Sequence, residues 1–313
     1  VDPWWCHGRI VIPVNFVEEK VDRMANKGLW YKEFHNGDFG SVYKMEKIWE
    51  EKQTPYQKLE VIQTTGFGKA MLLDNVWMFS EFDEFVYHEM LTHVPMFTHP
   101  QPRRVLVVGG GDGGTVGQVL RHPTVEEVVL VEIDEEVIHS ARRHFPSLAK
   151  PLSDDRCTLQ IGDGFAYVRD HKDSFDVILI DSTDDFCEDG FSSPLFTREF
   201  YGAVHQALRA DGVMAAQTDS PWLGGKILAR VLGDVRSLFS IGKIYLASIP
   251  FYPAGLWTFT IGSKRIDPSS MNHIDRFSGW KTRYYTPRIH EAAFVLPPFL
   301  EQKIHRGEEL CKL

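Results

Sequence analysis

The residues best suited to chemistry sit in four acidic turns. Gly109-Gly110-Gly111-Asp112-Gly113-Gly114 follows the apolar run 105–108, and Glu132 closes the run 128–131. Gly162-Asp163-Gly164 follows 157–161, and Asp181-Ser182-Thr183-Asp184 follows 177–180. Gly109, Gly111 and Gly114 match G-x-G-x-x-G, and Glu132 at the end of the next strand suits a ribose hydroxyl. Taken alone, that pattern is a dinucleotide site. Asp112 argues otherwise, because a pyrophosphate on the helix N-terminus would face a fixed negative charge. The carboxylate suits a ligand that is cationic near the turn. A single acidic turn is ordinary capping or loop chemistry. Four at successive strand ends form a negative funnel for a polycation whose amines can each be paired.

Other candidates are weaker. His88-Glu89-Met90-Leu91-Thr92-His93 resembles a zinc motif with one residue too many, so its histidines do not share a helix face and no metal site is expected. Cys187 lies in an acidic loop without a histidine fixed beside it, which disfavours a nucleophilic thiol. Trp4, Trp5, Trp49 and Trp77 are expected in core or interface positions.

The elements that must position these turns follow from the patterning. Strands are expected at 104–108, 127–132, 157–161, 175–180 and 211–217, with helices between them. The run Val177-Ile178-Leu179-Ile180 is apolar on both faces, as in a central parallel strand. Segments 243–249 and 256–261 predict an antiparallel hairpin closing the sheet edge. Upstream, β-rich segments at 41–48, 58–64 and 69–73, with an Asp74-Asn75 turn, predict a small antiparallel sheet. Ser80-x-x-Asp83 resembles an N-cap signal for a helix running to about residue 97. The fold class is α/β: a Rossmann-like, methyltransferase-type, mostly parallel sheet with a terminal hairpin, preceded by a small β-domain. The expected division is an irregular extension over 1–27, the β-domain over 28–80 and the catalytic domain over 81–313, whose tail from residue 265 packs over the surface.

Composition narrows the class. The 34 basic and 43 acidic residues give a net charge of −9 without a lysine-rich run, so nucleic acid is not an expected partner. No apolar run reaches the ~18 residues of a membrane span. The apolar stretch at 10–17 is interrupted by Pro13 and Asn15, unlike a secretory leader. Cys6, Cys157, Cys187 and Cys311 lie far apart, which suits a reducing compartment, and a cytoplasmic location is expected.

The ordered set GGGDGG (109–114), Glu132-Ile133-Asp134, Gly162-Asp163-Gly164 and Asp181-Ser182-Thr183-Asp184 resembles the motifs of the polyamine aminopropyltransferases. Tyr56-Gln57, the run 83–90 (DEFVYHEM) and the run 252–257 (YPAGLW) extend the likeness over residues 30–295. The resemblance implies transfer of an aminopropyl group from decarboxylated S-adenosylmethionine, a co-substrate and not a cofactor, to a diamine such as putrescine. It implies that Asp112 pairs with the donor amine and repels the carboxylate of ordinary S-adenosylmethionine. By the same likeness Glu132 holds the ribose, Asp163 and Gly164 contact the adenine, and Gln57 lines the nucleoside pocket. His88 and Asp184 would touch the amine substrate, Trp30 is the aromatic to look for beside it, and a homodimer or homotetramer is expected.

The chemistry needs few groups. Carbon beside a sulfonium is already electrophilic, whereas an alkylamine is protonated near neutral pH and lacks a lone pair. Asp181, first of its loop and at the end of the most apolar strand, is the expected base. Tyr56 and Tyr252 are expected to assist by hydrogen bonding or cation–π contact. After Asp184 the chain departs from the family pattern: Asp185-Phe186-Cys187-Glu188-Asp189-Gly190 lacks the usual proline and adds three carboxylates, which leaves the acceptor amine open. The competing readings are a methyltransferase, a nicotinamide-dependent oxidoreductase and a non-catalytic binding protein.

Overall fold

Strand pairing divides the chain into two sheets. The computed structural model describes residues 28–35, 39–183, 192–223, 225–271 and 273–306. The first sheet is antiparallel, in the order β1 (Leu29–His35), β2 (Phe39–Gln53), β3 (Lys58–Thr64), β4 (Lys69–Leu73) and β5 (Val76–Ser80). β3 and β4 fall where the sequence placed them. β2 is much longer than 41–48, because its charged end is held by another element. Glu50 binds Arg143 Nη1 at 2.9 Å and His144 Nε2 at 2.7 Å, both at the end of a helix of the second layer. Asp74 and Asn75 have φ of 49° and 66°, the left-handed pair that a two-residue hairpin turn requires.

The second sheet has the order β11-β12-β10-β9-β6-β7-β8. Its strands are β6 (Arg104–Gly109), β7 (Glu127–Glu132), β8 (Cys157–Ile161), β9 (Phe175–Asp181), β10 (Leu208–Gln217), β11 (Ile241–Ser248) and β12 (Leu256–Ser263). The strands from β8 to β10 run parallel, and β11 and β12 form the antiparallel hairpin at the edge. Alternate residues serve opposite cores. Val105, Val107, Val177 and Leu179 pack beneath α1 (Glu84–Thr98), α2 (Gly114–Leu120), α3 (Glu135–His144) and α4 (Pro146–Ala149). Leu106, Val108, Ile178 and Ile180 face α5 (Gly164–Asp170), α6 (Arg198–Ala207) and α7 (Gly225–Leu238). Residues 177–180 are wholly buried, each contributing roughly 1.5–3 kcal/mol relative to exposure. β6 pairs with β7 on one side and β9 on the other, so successive crossovers leave β6 in opposite directions. A crevice at the strand ends follows from that reversal.

Two expectations need correction. Ser80 does not cap α1; the helix begins after Asp83, whose Oδ1 accepts the Ser80 hydroxyl at 2.7 Å. The Asp83 side chain is used elsewhere, Oδ2 accepting Phe251 N–H at 2.8 Å from the β11–β12 connection. The tail also reaches the interior. Tyr285 is fully buried, and Glu89 of α1 accepts the backbone N–H groups of Arg283, Tyr284 and Tyr285 at 2.8–2.9 Å. A buried carboxylate needs such donors, and no local pattern in the tail announces them.

The same connection joins the sheets. Phe251 sits among Ile62, Ala70, Leu72 and Trp77 of the first sheet, its ring 4.8 Å from those of Tyr43 and Trp77. Phe251→Ala should destabilise the protein by about 3–5 kcal/mol, as a cavity at a wholly buried aromatic does. Urea unfolding would show this as a lowered midpoint, and a loss under about 1 kcal/mol would mean that the sheets are held together by other contacts.

Candidate active site

The glycine turn after β6 is shaped by the side chains around it. Gly109 pairs in register with Asp181 of β9 and has φ of 80°. A β-carbon there would lie 2.2 Å from the Asp181 carbonyl oxygen. At Gly110 it would lie 2.6 Å from Asp181 Oδ2, at Gly111 2.9 Å from Glu132 Oε2, and at Gly114 2.3 Å from the His88 ring. These residues make room for two carboxylates and an imidazole. Asp112 Oδ1 accepts Gly114 N–H at 2.6 Å, at the start of α2.

A cavity of about 330 Å³ opens over these strand ends. Asp112, Glu132, Asp163, Gly164 and Asp181 line it from the second sheet, and Tyr56, Gln57, His88 and Tyr252 complete the set expected from sequence. Asp184 lies outside the described residues, as do Cys187 and the carboxylates of Asp185, Glu188 and Asp189. So do Trp4, Trp5, Cys6 and Cys311.

Each carboxylate has its own setting. Glu132 is 7% exposed, and burial pushes its carboxyl up to about 7, with Asp134 adding to the shift. The N–H groups of Asp134 and Gly111, at 3.0 and 3.1 Å, restrain it. Asp134 Oδ2 receives Gln57 Nε2 at 3.0 Å and the Thr54 hydroxyl at 2.8 Å, which fixes the Gln57 amide against the second sheet. Asp163 caps α5 through Phe165 N–H at 2.8 Å. Asp181 receives the Tyr87 hydroxyl on Oδ1 and the Thr115 hydroxyl on Oδ2, both at 2.6 Å. Burial raises its carboxyl above the usual range and Asp112 adds to this, while His88 and the two hydroxyls oppose it.

His88 is 1% exposed, with Nδ1 2.8 Å from Glu84 and Nε2 3.4 Å from Asp112. Burial works to lower its imidazole, but Asp112 and Glu84 outweigh burial and hold it well above the ordinary histidine value. His93 points elsewhere, its Nδ1 3.1 Å from His122 Nε2, so the zinc-like pair does not converge. Among the described residues no group of three His, Cys, Asp or Glu side chains is arranged to hold a metal ion. Tyr252 donates its hydroxyl to the Met78 carbonyl at 2.5 Å, which leaves its ring as the face it offers. The Cys157 thiol is half-buried and pushed up to about 11 by burial.

Sequence reasoning overlooked several groups. Tyr87 and Thr115 flank His88 and Gly114, and no spacing rule marks hydroxyls aimed at a distant strand end. Glu84 was detectable as an i, i+4 partner of His88. The indoles at the cavity come from Trp77 and Trp257, not from Trp30, which lies on β1 opposite Lys44 and outside the lining. Trp77 is also a core residue, as expected from the sequence, and is 3% exposed.

Comparison with known proteins agrees with this geometry. Residues 84–272 match the spermine/spermidine synthase domain, and residues 29–81 match the spermidine synthase tetramerisation domain. The polyamine aminopropyltransferase of Bacillus subtilis is 47% identical over 276 residues, 88% of this chain and 99% of that protein. Its counterpart in Clostridium tetani is 46% identical over 277 residues, 88% and 97% of the two chains. Among solved structures, a spermidine synthase in complex with the transition-state analogue AdoDATO has a TM-score of 0.86 at 38% identity, covering 90% of this chain and 96% of that one. Spermidine synthase from Thermotoga maritima gives 0.83 at 37% identity, covering 89% and 95%. The chain belongs to the spermine/spermidine synthase family and is an enzyme of the polyamine aminopropyltransferase type.

Proposed function

We propose that the enzyme transfers the aminopropyl group of decarboxylated S-adenosylmethionine to putrescine, giving spermidine and methylthioadenosine. One observation carries this reading. Asp112, Glu132, Asp163 and Asp181 line one cavity, and its described lining contains neither lysine nor arginine. Such a lining suits cationic ligands and disfavours the pyrophosphate of a dinucleotide. It also disfavours the carboxylate of ordinary S-adenosylmethionine beside Asp112, the point at which a methyltransferase reading differs. The similar spermidine synthase that binds AdoDATO supports the same choice.

The family likeness and the cavity lining together support the following roles. Glu132 accepts the ribose hydroxyls, Gln57, Asp163 and Gly164 border the adenine, and Asp112 pairs with the donor amine. Asp181 accepts a proton from the attacking amine, Asp184 pairs with that substrate by the family likeness, and His88 borders it and acts through Asp112. Tyr56 and the ring face of Tyr252 border it. The freed lone pair attacks the methylene beside sulfur. The new C–N bond forms as the C–S bond breaks, and its electrons return to sulfur as the neutral thioether. Alignment in the cavity supplies the rest of the acceleration. Putrescine is the first choice among cadaverine, agmatine and spermidine, and assay of the donor with all four amines tests it.

Assembly is part of the proposal. Leu29, Phe34, Val42 and Ile48 of the first sheet are exposed, on the segment that matches a tetramerisation domain. A homotetramer or homodimer formed through that sheet covers them. No described helix is long and apolar enough to cross a membrane, and we place the enzyme in the cytoplasm without a nucleic-acid partner.

Asp181→Asn should lower kcat by ~10²–10⁴-fold, the usual loss of a general base, with unchanged far-ultraviolet circular dichroism. A folded variant within a few-fold of the parent across the pH range would sink the assignment. A second expectation concerns Glu132, whose carboxyl is pushed up to about 7 by burial. Ribose hydroxyls favour the ionised form, so methylthioadenosine should bind about tenfold more tightly above this pKa than one unit below it, releasing a proton near neutrality. Calorimetry in buffers of different ionisation enthalpy measures both, and an affinity constant with pH would put the ribose elsewhere.

A further inference from the structure

Helix α1 carries a carboxylate that the proposed chemistry does not use. Glu84 stands one turn before His88, with Oε2 2.8 Å from His88 Nδ1. On the opposite side of the ring, Nε2 lies 3.4 Å from Asp112 Oδ1. The ring is buried against Gly114, where any β-carbon would collide with it. An ionised carboxylate only accepts hydrogen bonds, and a neutral imidazole carries a single N–H. A neutral His88 would therefore turn a lone pair on one of its two carboxylates. The imidazolium hydrogen-bonds Glu84 through Nδ1 and faces Asp112 with its second N–H as an ion pair.

The array extends to the surface. Arg283 Nη1 lies 3.9 Å from Glu84 Oε1, its guanidinium rests 3.5 Å over the Phe85 ring, and Glu89 holds its backbone N–H. Signs alternate inward through Arg283, Glu84, His88 and Asp112. The other groups facing His88 are Asp181 from β9, whose carboxyl responds to its charge, and Tyr87, edge-on at 5.5 Å. Asp112 Oδ1 takes both Gly114 N–H and the His88 contact, which sets the rotation of the carboxylate and leaves Oδ2 for a ligand.

We propose that Glu84 is a positioning residue that holds the His88 ring as a doubly protonated donor, orienting Asp112 and offsetting the negative charge around Asp181. The catalytic half of this role rests on the aminopropyl-transfer reading above; the state of the ring does not. With the cation in place, Asp181 stays ionised to lower pH than its burial beside Asp112 would otherwise allow. With a neutral ring, one more uncompensated negative charge adjoins the base.

Nitrogen-15 NMR of labelled histidine, assigned with a His88 variant, tests the ring, and the pH profile of kcat/KM for the amine tests its effect. In the parent, both His88 nitrogens should be protonated near neutral pH. In E84Q the ring should titrate about one pH unit lower or more, the usual influence of an adjacent opposite charge. The acidic limb of the profile should then move to higher pH, while methylthioadenosine affinity stays at the parent value. E84D, which keeps the charge on a shorter arm, should retain both N–H groups and decides the matter if E84Q does not fold. A singly protonated His88 in the parent overturns the proposal, as does a variant series with the parent's titration. A shifted ring with an unmoved profile overturns the catalytic half. A parent that transfers no aminopropyl group removes the functional reading, and the NMR result then judges Glu84 alone.

Discussion

The pairing of Gly109 with Asp181 across β6 and β9 is the constraint on which the site depends. Parallel strands bring all their carboxyl ends to one side, and the reversal of strand order opens a crevice between these two. The chain fills that crevice with acids. Bringing carboxylates together in a buried place is unfavourable unless each charge is answered, and the structure supplies different answers. Asp181 has two hydroxyls, Glu132 has two backbone N–H groups, and Asp112 has a helix start and an imidazole. The burial that raises Asp181 and Glu132 leaves both poised to exchange protons closer to neutrality than an exposed carboxylate would.

The second requirement is a wall opposite the strand ends. The first sheet and α1 provide it: Leu59, Val61, Met71, Leu73 and Phe79 share one core with α1 and the second sheet, and specific polar contacts fix the fit. Asp83 binds Ser80 and the Phe251 N–H, and Phe251 enters the first sheet's core while its neighbour Tyr252 lines the cavity. Two adjacent residues thus join sheet to sheet and complete the ligand space. Glu50 and Lys52 of β2 make the corresponding attachment to α3, through Arg143, His144 and Glu136.

Much of this was legible in the sequence because parallel strands and tight turns leave local marks. All five expected parallel strands lie where apolar runs placed them, β10 starting a few residues earlier, and the acidic strand ends face one cavity. Tyr87, Thr115 and Glu89 were not legible. Each acts on a group dozens of residues away, and a hydroxyl or a carboxylate on a helix carries no local sign of its partner. The end of β2 was hidden for a related reason: its charges are met by a helix almost a hundred residues later. Trp30 failed as a cavity residue because the likeness fixed an aromatic near that point without fixing its register on β1.

The glycine turn bears on how this segment can vary. A turn that only needed left-handed backbone could change one residue at a time. Here the vacant space at Gly110, Gly111 and Gly114 is a cast of Asp181, Glu132 and His88, so a side chain gained on one surface requires atoms lost from the other. Position 114 can accept a methyl group only in a chain that carries something smaller or differently turned at position 88. The turn and the residues that face it are therefore inherited as matched halves, and drift in either half alone is closed off by sterics before chemistry is tested.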